Sequence, residues 1–495
     1  MRLVVGLIFF TVLGLKAQDE NPFHDRNFWK SNPSIETIEE SIAQGNDVSS
    51  LNQFAFDAVS WALIEKTDNT TIKYLLTKEG NGVNKLTHDG RTYIFWAAYK
   101  DNLEMMQYLV ANGAKTDVVD SHGYSVFNFA ALTGQKNIDL YEFLIQHGSK
   151  PLEERNHSDA NALLLAAPFL DNFELVDYFV SLGLDTRSID NSGNGIFNYA
   201  AKGGNISFLS QLIDKGFPYK SRNAFGANAF IMATQGTRGK SNGIEVYKFL
   251  YNIGLKPNVT GKNAITPLHN IAYRNTDADI YNFFIKNGAN VNAIDDDGNT
   301  PFMNAARGNS LDVIKLLYPY VTNINHVNNK GESALTLAFG RNSIQVINYL
   351  LEQDADVKIK DKQGNSLAYY LMNTYSAKSP DVFETKLEVL KQNKIALDEV
   401  QGEGNTLLHL AVQKENLDLI KRVMDFDVDV NAKNDDGNTA LHIAAMKAKD
   451  NSILKYLIQM GADKHLKTDF EESVFDLANE NELLLQNKTD LQFLK

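Results

Sequence analysis

The sequence predicts an all-α solenoid of about thirteen helix-turn-helix units with projecting hairpin turns. Three observations predict it. One short segment, a small hydroxylated residue followed by apolar residues and an Ala-Ala pair, recurs along the whole chain. The step between copies stays close to 33 residues. Each step also carries punctuating glycines and an Asp/Asn-rich turn. Self-similarity at a period of this length is the signature of stacked supersecondary units.

The clearest copy of the segment is Thr300-Pro301-Phe302-Met303-Asn304-Ala305-Ala306, matched by Thr266-Pro267-Leu268-His269, Thr406-Leu407-Leu408-His409 and Thr439-Ala440-Leu441-His442. The thirteen copies end at residues 63, 98, 131, 167, 201, 234, 272, 306, 339, 372, 412, 445 and 479. Thr before Pro is an N-cap followed by a residue suited to the first helical position, so each copy opens a helix. Its Ala-Ala pair gives a narrow face on which neighbouring backbones can close up. An Asn then opens a second helix: Asn102, Asn137, Asn172, Asn205, Asn309, Asn342 and Asn416 are placed to cap its free amides. The second helix carries apolar pairs at helical spacing, as in Met105-Met106 with Leu109-Val110, and ends at a glycine such as Gly113 or Gly288. Asp295-Asp296-Asp297-Gly298 and Asn434-Asp435-Asp436-Gly437 are hairpin-turn chemistry between units.

Helix, helix and projecting turn at this period resemble the ankyrin repeat over residues 34–490. The matching residues are the Thr-Pro-Leu-His segment at 266–269, the Asn-Gly-Ala-Asn-Val-Asn run at 287–292, Asp-Val-Asn at 429–431 and Gly-Ala-Asp at 461–463. The resemblance implies a scaffold that binds other proteins. It also implies that the motif histidine fixes its turn by local hydrogen bonds. That residue survives only at His269, His409 and His442; elsewhere the position holds Ser60, Phe95, Asn128, Leu164, Asn198, Ile231, Met303, Thr336, Tyr369 and Asp476, so those turns are expected to be held otherwise. Two longer steps place insertions around Gln235–Gly243 and Asn373–Asp381, both between the two helices of a unit.

The N-terminus predicts export. Arg2, an apolar run from Leu3 to Leu15 and a small residue at Ala17 form the pattern of a secretory signal peptide. The run is shorter than the ~20 residues of a spanning helix. The expected organisation is a signal peptide at 1–17, an N-terminal segment at 18–33 and a first array at 34–372 that begins with a lone capping helix at 34–45. A candidate hinge with its insertion follows at 373–404, and a second array with a C-terminal cap at 405–495. The compartment expected is periplasmic or extracellular, in a bacterium, with no stable membrane insertion after cleavage. There is no cysteine, which removes disulfides, thiol nucleophiles and Cys-ligated zinc. The net charge of −13 becomes −15 after cleavage behind Ala17. An acidic balance disfavours nucleic acid and favours solubility and a basic partner.

No constellation in the sequence points to catalysis, and neither an enzymatic activity nor a cofactor nor a metal is expected. No Walker-type phosphate loop, nucleophile elbow or His-Glu-x-x-His occurs. With Asp295 and Asp297 at the third and fifth positions of a calcium loop, the first would be Ala293 and the twelfth Asn304 rather than a bidentate carboxylate. Phe143, Phe179, Phe249 and Phe283 fall at core positions of second helices. Partner binding is therefore assigned to turn tips and the concave inner-helix face, with Arg91, His122, Tyr124, Phe225, Asp296 and Asp297 as the contact residues. Two other readings stay open: a secreted effector aimed at a host protein, and an enzyme or small-ligand protein with its site in the inner groove.

Overall fold

The computed structural model describes residues 21–495, so the expected signal peptide at 1–17 lies outside the described residues. Contacts divide the chain into two compact units. Unit 1 runs up to Ala224 and includes Gly236–Asn242; unit 2 comprises Phe225–Gln235 and Gly243–Lys495. Unit 1 holds five helix pairs, whose inner helices are Ala58–Glu65, Tyr93–Tyr99, Val126–Leu132, Ala162–Ala166 (continued by the 3-10 turn Ala167–Phe169) and Ile196–Gly203. Unit 2 holds eight, with inner helices Ala229–Gln235, Pro267–Ala272, Pro301–Gly308, Ala334–Arg341, Leu367–Met372, Leu407–Gln413, Ala440–Lys447 and Val474–Glu480. The described residues thus form an all-α ankyrin-type solenoid of thirteen pairs. Extended backbone is limited to isolated bridges, four of which, such as Val119 with Ser125, close a hairpin turn between pairs.

Each inner helix stacks on the next inner helix of its unit because the Ala pair leaves no bulk between them; Ala97, Ala98, Ala130, Ala131, Ala305 and Ala306 are all fully buried. The outer helix buries one stripe beneath, for instance Met105, Met106 and Leu109. Aromatic triads thicken this layer, as in Phe127, Tyr141 and Phe179, whose ring centroids lie 4.9 to 5.7 Å apart.

Turns repeat one device. An Asp or Asn at the start of the turn accepts hydrogen bonds from the amides two and four residues on: Asp120 from His122 and Tyr124, Asp295 from Asp297 and Asn299, Asn434 from Asp436 and Asn438. Successive tips are then tied backbone to backbone. In unit 1, Ser121 N donates to Asp89 O at 2.9 Å, Asn191 N to Ser158 O at 2.9 Å and Ala224 N to Ser192 O at 2.8 Å. In unit 2, Asp296, Asn329 and Lys362 donate to Asn263, Asp297 and Lys330 in the same way.

The three motif histidines work as the resemblance implies. Nδ1 of His269, His409 and His442 accepts from the backbone N–H of Thr266, Thr406 and Thr439 at 3.1 Å in each case. Nε2 then lies within 2.9 to 3.1 Å of a carbonyl of the following turn, Asn299, Asn438 or Leu466, and must be the protonated nitrogen. Ser60, Thr336 and Asp476 hold their own turns by a shorter route, accepting directly from the amides of Asp57, Ser333 and Ser473. Among the described residues they make no bond to the next turn. Asn128 does neither: it is fully buried, and among the described residues neither atom of its amide has a partner.

Burial, ahead of the hydrogen bonds that oppose it, pushes all three histidines below their ordinary range. A depressed folded-state value means that the neutral ring stabilises the native state at high pH, and that this contribution is lost as pH falls below ~6.5 toward the folded values. Amide protection at Thr266, Thr406 and Thr439, followed by hydrogen exchange, should fall over that window. Protection at Ser333, whose turn is held by Thr336, should not.

The second-helix asparagines divide into two groups. Asn102, Asn137, Asn205 and Asn416 cap their helices as expected, and Asn172 accepts from Glu174 N. Asn309 and Asn342 do not, because Ser310 and Ser343 supply the caps. Their amides instead reach back to the preceding pair, Asn309 to Ala272 O and Asn275 O, Asn342 to Ala306 O and Asn309 O.

The helix Ile35–Ala43 is not alone. Arg26–Lys30 precedes it and packs on Ala58–Glu65, so the start of the stack is shielded by a shortened pair with Trp29 fully buried. At the far end Leu484 and Leu494 are buried while Leu483 and Leu485 face outward at 43% and 51% exposure. The second insertion lengthens an outer helix to Pro380–Gln392. Its Lys386 is buried at 3% exposure and donates to Phe339 O at 2.7 Å, and burial holds its ammonium at a pKa of about 8.

Candidate partner-binding site

The position two residues before the end of each recurring segment points away from the outer helices and lines a groove. In unit 1 this column reads Trp61, Trp96, Phe129, Leu165, Tyr199. The position just after the segment forms a second column, Ile64, Tyr99, Leu132, Pro168, Lys202. Between them lies a groove of about 630 Å³, completed by Arg26, Phe56, His88, Asp89, Arg91, Thr133, Phe169, Thr237 and Arg238.

The aromatic wall is continuous. Phe56 stacks on Trp61 at 4.4 Å and on His88 at 4.5 Å, and meets Trp96 at 5.5 Å; Phe129 packs against Trp96 at 6.0 Å and Tyr99 at 6.2 Å. Column side chains are anchored to the turn nine residues earlier. Trp96 Nε1 donates to Thr87 Oγ1 at 2.8 Å, and Tyr199 Oη to Asp190 Oδ2 at 3.0 Å. Tyr370 in unit 2 repeats this with Asp361 at 2.9 Å. Trp61 breaks the pattern: its Nε1 is buried and has no partner among the described residues.

Arg91 is not an exposed tip residue. It is 8% exposed, and its guanidinium sits 4.4 Å over Phe129 and 5.4 Å over Trp96. It donates to Asp120 at 2.8 Å and Asp89 at 3.0 Å. His122 reaches the same Asp89 at 3.3 Å, with its own side chain 57% exposed. Tyr124 is half-buried on the turn that Asp120 organises. Arg91, His122 and Tyr124 therefore form one cluster beside the unit 1 groove. Asp296 and Asp297 are exposed on a tip of unit 2, and Phe225, at 46% exposure, opens unit 2.

The first insertion also has a place here. Residues 236–242 belong to unit 1, where Thr237 pairs with Lys240 in a tight turn. Asn242 holds that turn by donating to Ala201 O at 3.0 Å and Lys202 O at 3.3 Å. Arg238, at the tip, reaches the groove.

Unit 2 has a groove on the same columns, about 880 Å³, but its chemistry is mixed-charge: Arg307, Lys330, Glu332, Arg341, Asp361 and Lys362 surround Tyr369 and Tyr370. Of the second-helix phenylalanines, Phe179 is fully buried and Phe143, Phe249 and Phe283 are half-buried. Among the described residues no group of three or more His, Asp or Glu is arranged to hold a metal, and no helix is long and apolar enough to cross a membrane.

The sequence points to the concave inner-helix face as well as the tips, but of the residues lining this groove only Arg91 is among the contacts expected from it. Their signal was there: Trp61, Trp96 and Phe129 share one register of the repeat, at steps of 35 and 33 residues. In the fold Trp96 and Phe129 are buried at 4% and 5% exposure and form the groove's floor, while Trp61 and Tyr99 stay half-buried at its surface.

Stacked helix pairs with projecting turns and an open inner groove define a repeat scaffold. The family model for ankyrin repeats (three copies) matches residues 31–120, 59–155, 239–326, 268–361 and 371–468, well over half of the chain. The chain belongs to the ankyrin-repeat family, whose members generally serve as protein-protein interaction scaffolds. It is 25% identical over 157 residues, 30% of this chain and 28% of the relative, to the ankyrin repeat protein OPG189 of variola virus. Alpha-latroinsectotoxin-Lt1a of Latrodectus tredecimguttatus is 22% identical over 379 residues, 72% of this chain and 25% of the toxin. The chain thus spans under a third of the length of the curated relatives it matches. Among solved structures, the human ASB11 ankyrin repeat domain aligns with a TM-score of 0.37 and 21% identity, over 44% of this chain and 95% of that one.

Proposed function

We propose that this chain is an exported bacterial scaffold, periplasmic or extracellular, that binds a partner protein and catalyses no reaction. The observation that carries the binding reading is the unit 1 groove, where Phe56, Trp61 and Tyr99 line the inner face beside the Arg91–His122–Tyr124 cluster. Rigid aromatics on a fixed frame give large contact area at small entropic cost. Export rests on Arg2, the Leu3–Leu15 run and Ala17. Phe225, Asp296 and Asp297 are proposed as outlying tip contacts.

The test is proximity labelling in the exported fraction with the full-length chain, compared with a Tyr99→Ala/His122→Ala/Tyr124→Ala variant. A protein recovered with the wild type should fall by about 30-fold or more, as loss of a central aromatic contact commonly weakens binding by ~2 kcal/mol. Repeated failure to enrich any protein, or retention of the chain in the cytoplasm, would sink the reading.

A further inference from the structure

We propose that the unit 1 groove takes an extended acidic segment of the partner protein, its apolar side chains on Phe56, Trp61 and Tyr99 and its carboxylates at Lys202 and Arg238. This rests on the scaffold reading above and commits it to one occupant.

The first argument is charge. The chain carries a net charge of −13, yet this groove collects cations. Arg26 is taken by Glu65, and Arg91 by Asp89 and Asp120. Lys202 and Arg238 have no hydrogen-bond or ion-pair partner among the described residues, although the turn that carries Arg238 is anchored to the backbone of Lys202 itself through Asn242. Asp89 is the sole carboxylate among the described lining residues, and Arg91, His88 and His122 already share it. Burial alone pushes the Lys202 ammonium below the usual lysine range, with no anion beside it to offset the loss of water. An incoming carboxylate would supply that anion. The sign is opposite to the basic partner that net charge favours, because a ligand meets the local field of the groove and not the average of the surface.

The second argument is the indole of Trp61. Trp96 spends its N–H on the turn nine residues back; Trp61 does not, and its buried donor has no acceptor. A buried donor left unmade is costly, so a small turn of the indole toward a peptide carbonyl or carboxylate in the groove would be favoured.

The third argument is length. The groove runs from Arg26 across five successive inner helices to Arg238. With neighbouring helices ~8–10 Å apart, its floor spans ~40 Å. An extended chain at ~3.3 Å per residue covers that with about a dozen residues. This extent suits a polypeptide and is far longer than a metabolite.

The experiment pans a phage library of random peptides of about twelve residues against the immobilised full chain. Enriched peptides are then synthesised and titrated against the wild type, Lys202→Gln/Arg238→Gln and, in case Lys202→Gln disturbs the inner helix, Arg238→Gln alone. The expected peptides carry Asp or Glu beside Trp, Phe, Leu or Ile. They should bind the double variant about tenfold or more weakly, the Arg238→Gln variant more weakly than the wild type, and all forms less well as salt rises. Enrichment of basic or neutral peptides, equal binding of acidic peptides to the variants, or no enrichment at all would each overturn the proposal. Any of these would leave the labelling result of the scaffold reading untouched, so the two fail separately.

Discussion

Replacing Asp57 by Ala should lower the stability of unit 1 by about 3–5 kcal/mol, the usual cost of removing one partner of a buried ion pair. Asp57 is fully buried at the entrance of the first inner helix. One oxygen caps that helix by accepting from Ser60 N at 2.9 Å. The other accepts from Tyr93 Oη at 2.7 Å and pairs with Lys85 at 2.8 Å, joining two successive repeats. Burial, and then the adjacent carboxylate, pushes the Tyr93 phenol above its ordinary range, so it remains a donor at any physiological pH. Alanine would leave a helix end and a phenol without their acceptor and the Lys85 ammonium without its counter-ion, its remaining bonds being to Ser49 O and Asn81 Oδ1. Asp57→Asn keeps the cap oxygen and should lose less. The measurement is convenient: all three tryptophans, Trp29, Trp61 and Trp96, lie in unit 1, so urea unfolding followed by tryptophan fluorescence reports that unit by itself.

The second large effect is expected at Gly203. A Cβ there would sit 1.7 Å from Pro168 O and 2.5 Å from its carbonyl carbon. The obstacle is backbone, so no rotamer change relieves it, and the inner helix Ile196–Gly203 would have to move off the 3-10 turn Ala167–Phe169. Gly203→Ala should cost about 3 kcal/mol, the upper range for overpacking a core, read as a lower urea midpoint in the same fluorescence assay. Because Pro168, Phe169 and Lys202 line the groove on either side of this contact, binding of the acidic peptides should weaken as well. A midpoint within error of the wild type would mean that the two backbones can separate without strain.

How much of this was legible in the sequence depends on how far apart the interacting residues lie. Caps, turn glycines and apolar stripes are local, so Thr266 with His269 or Asp295 with Asn299 could be read from neighbours three and four residues apart. The fate of Arg91 could not. Its main partner, Asp120, stands 29 residues away on the next turn, and only the stack brings them together. Asn309 and Asn342 show the same limit: the serine that follows each one takes over the cap, and the freed amide turns to carbonyls 33 to 37 residues back. Arg26–Lys30 was too short to show helical periodicity, and its place comes from packing rather than propensity. The groove is the intermediate case: its columns are visible once residues are aligned by repeat, but not that neighbours would bury Trp96 and Phe129 and leave Trp61 and Tyr99 half-buried.

The backbone links between successive turn tips have a mechanical side. Within a unit they lie one after another along the stack, so a pull on its two ends would load them in series, each sharing the tension with the inner-helix packing beside it. Such a unit would behave as a chain of breakable springs, yielding pair by pair instead of all at once, because each pair leans only on its neighbours. In unit 1 the longest of these links, His157 N to His122 O at 3.4 Å, is where the first rupture would fall. It ties the turn of the Arg91–His122–Tyr124 cluster, through His122 itself, to the following turn, so a stretched molecule would part at the edge of its groove first.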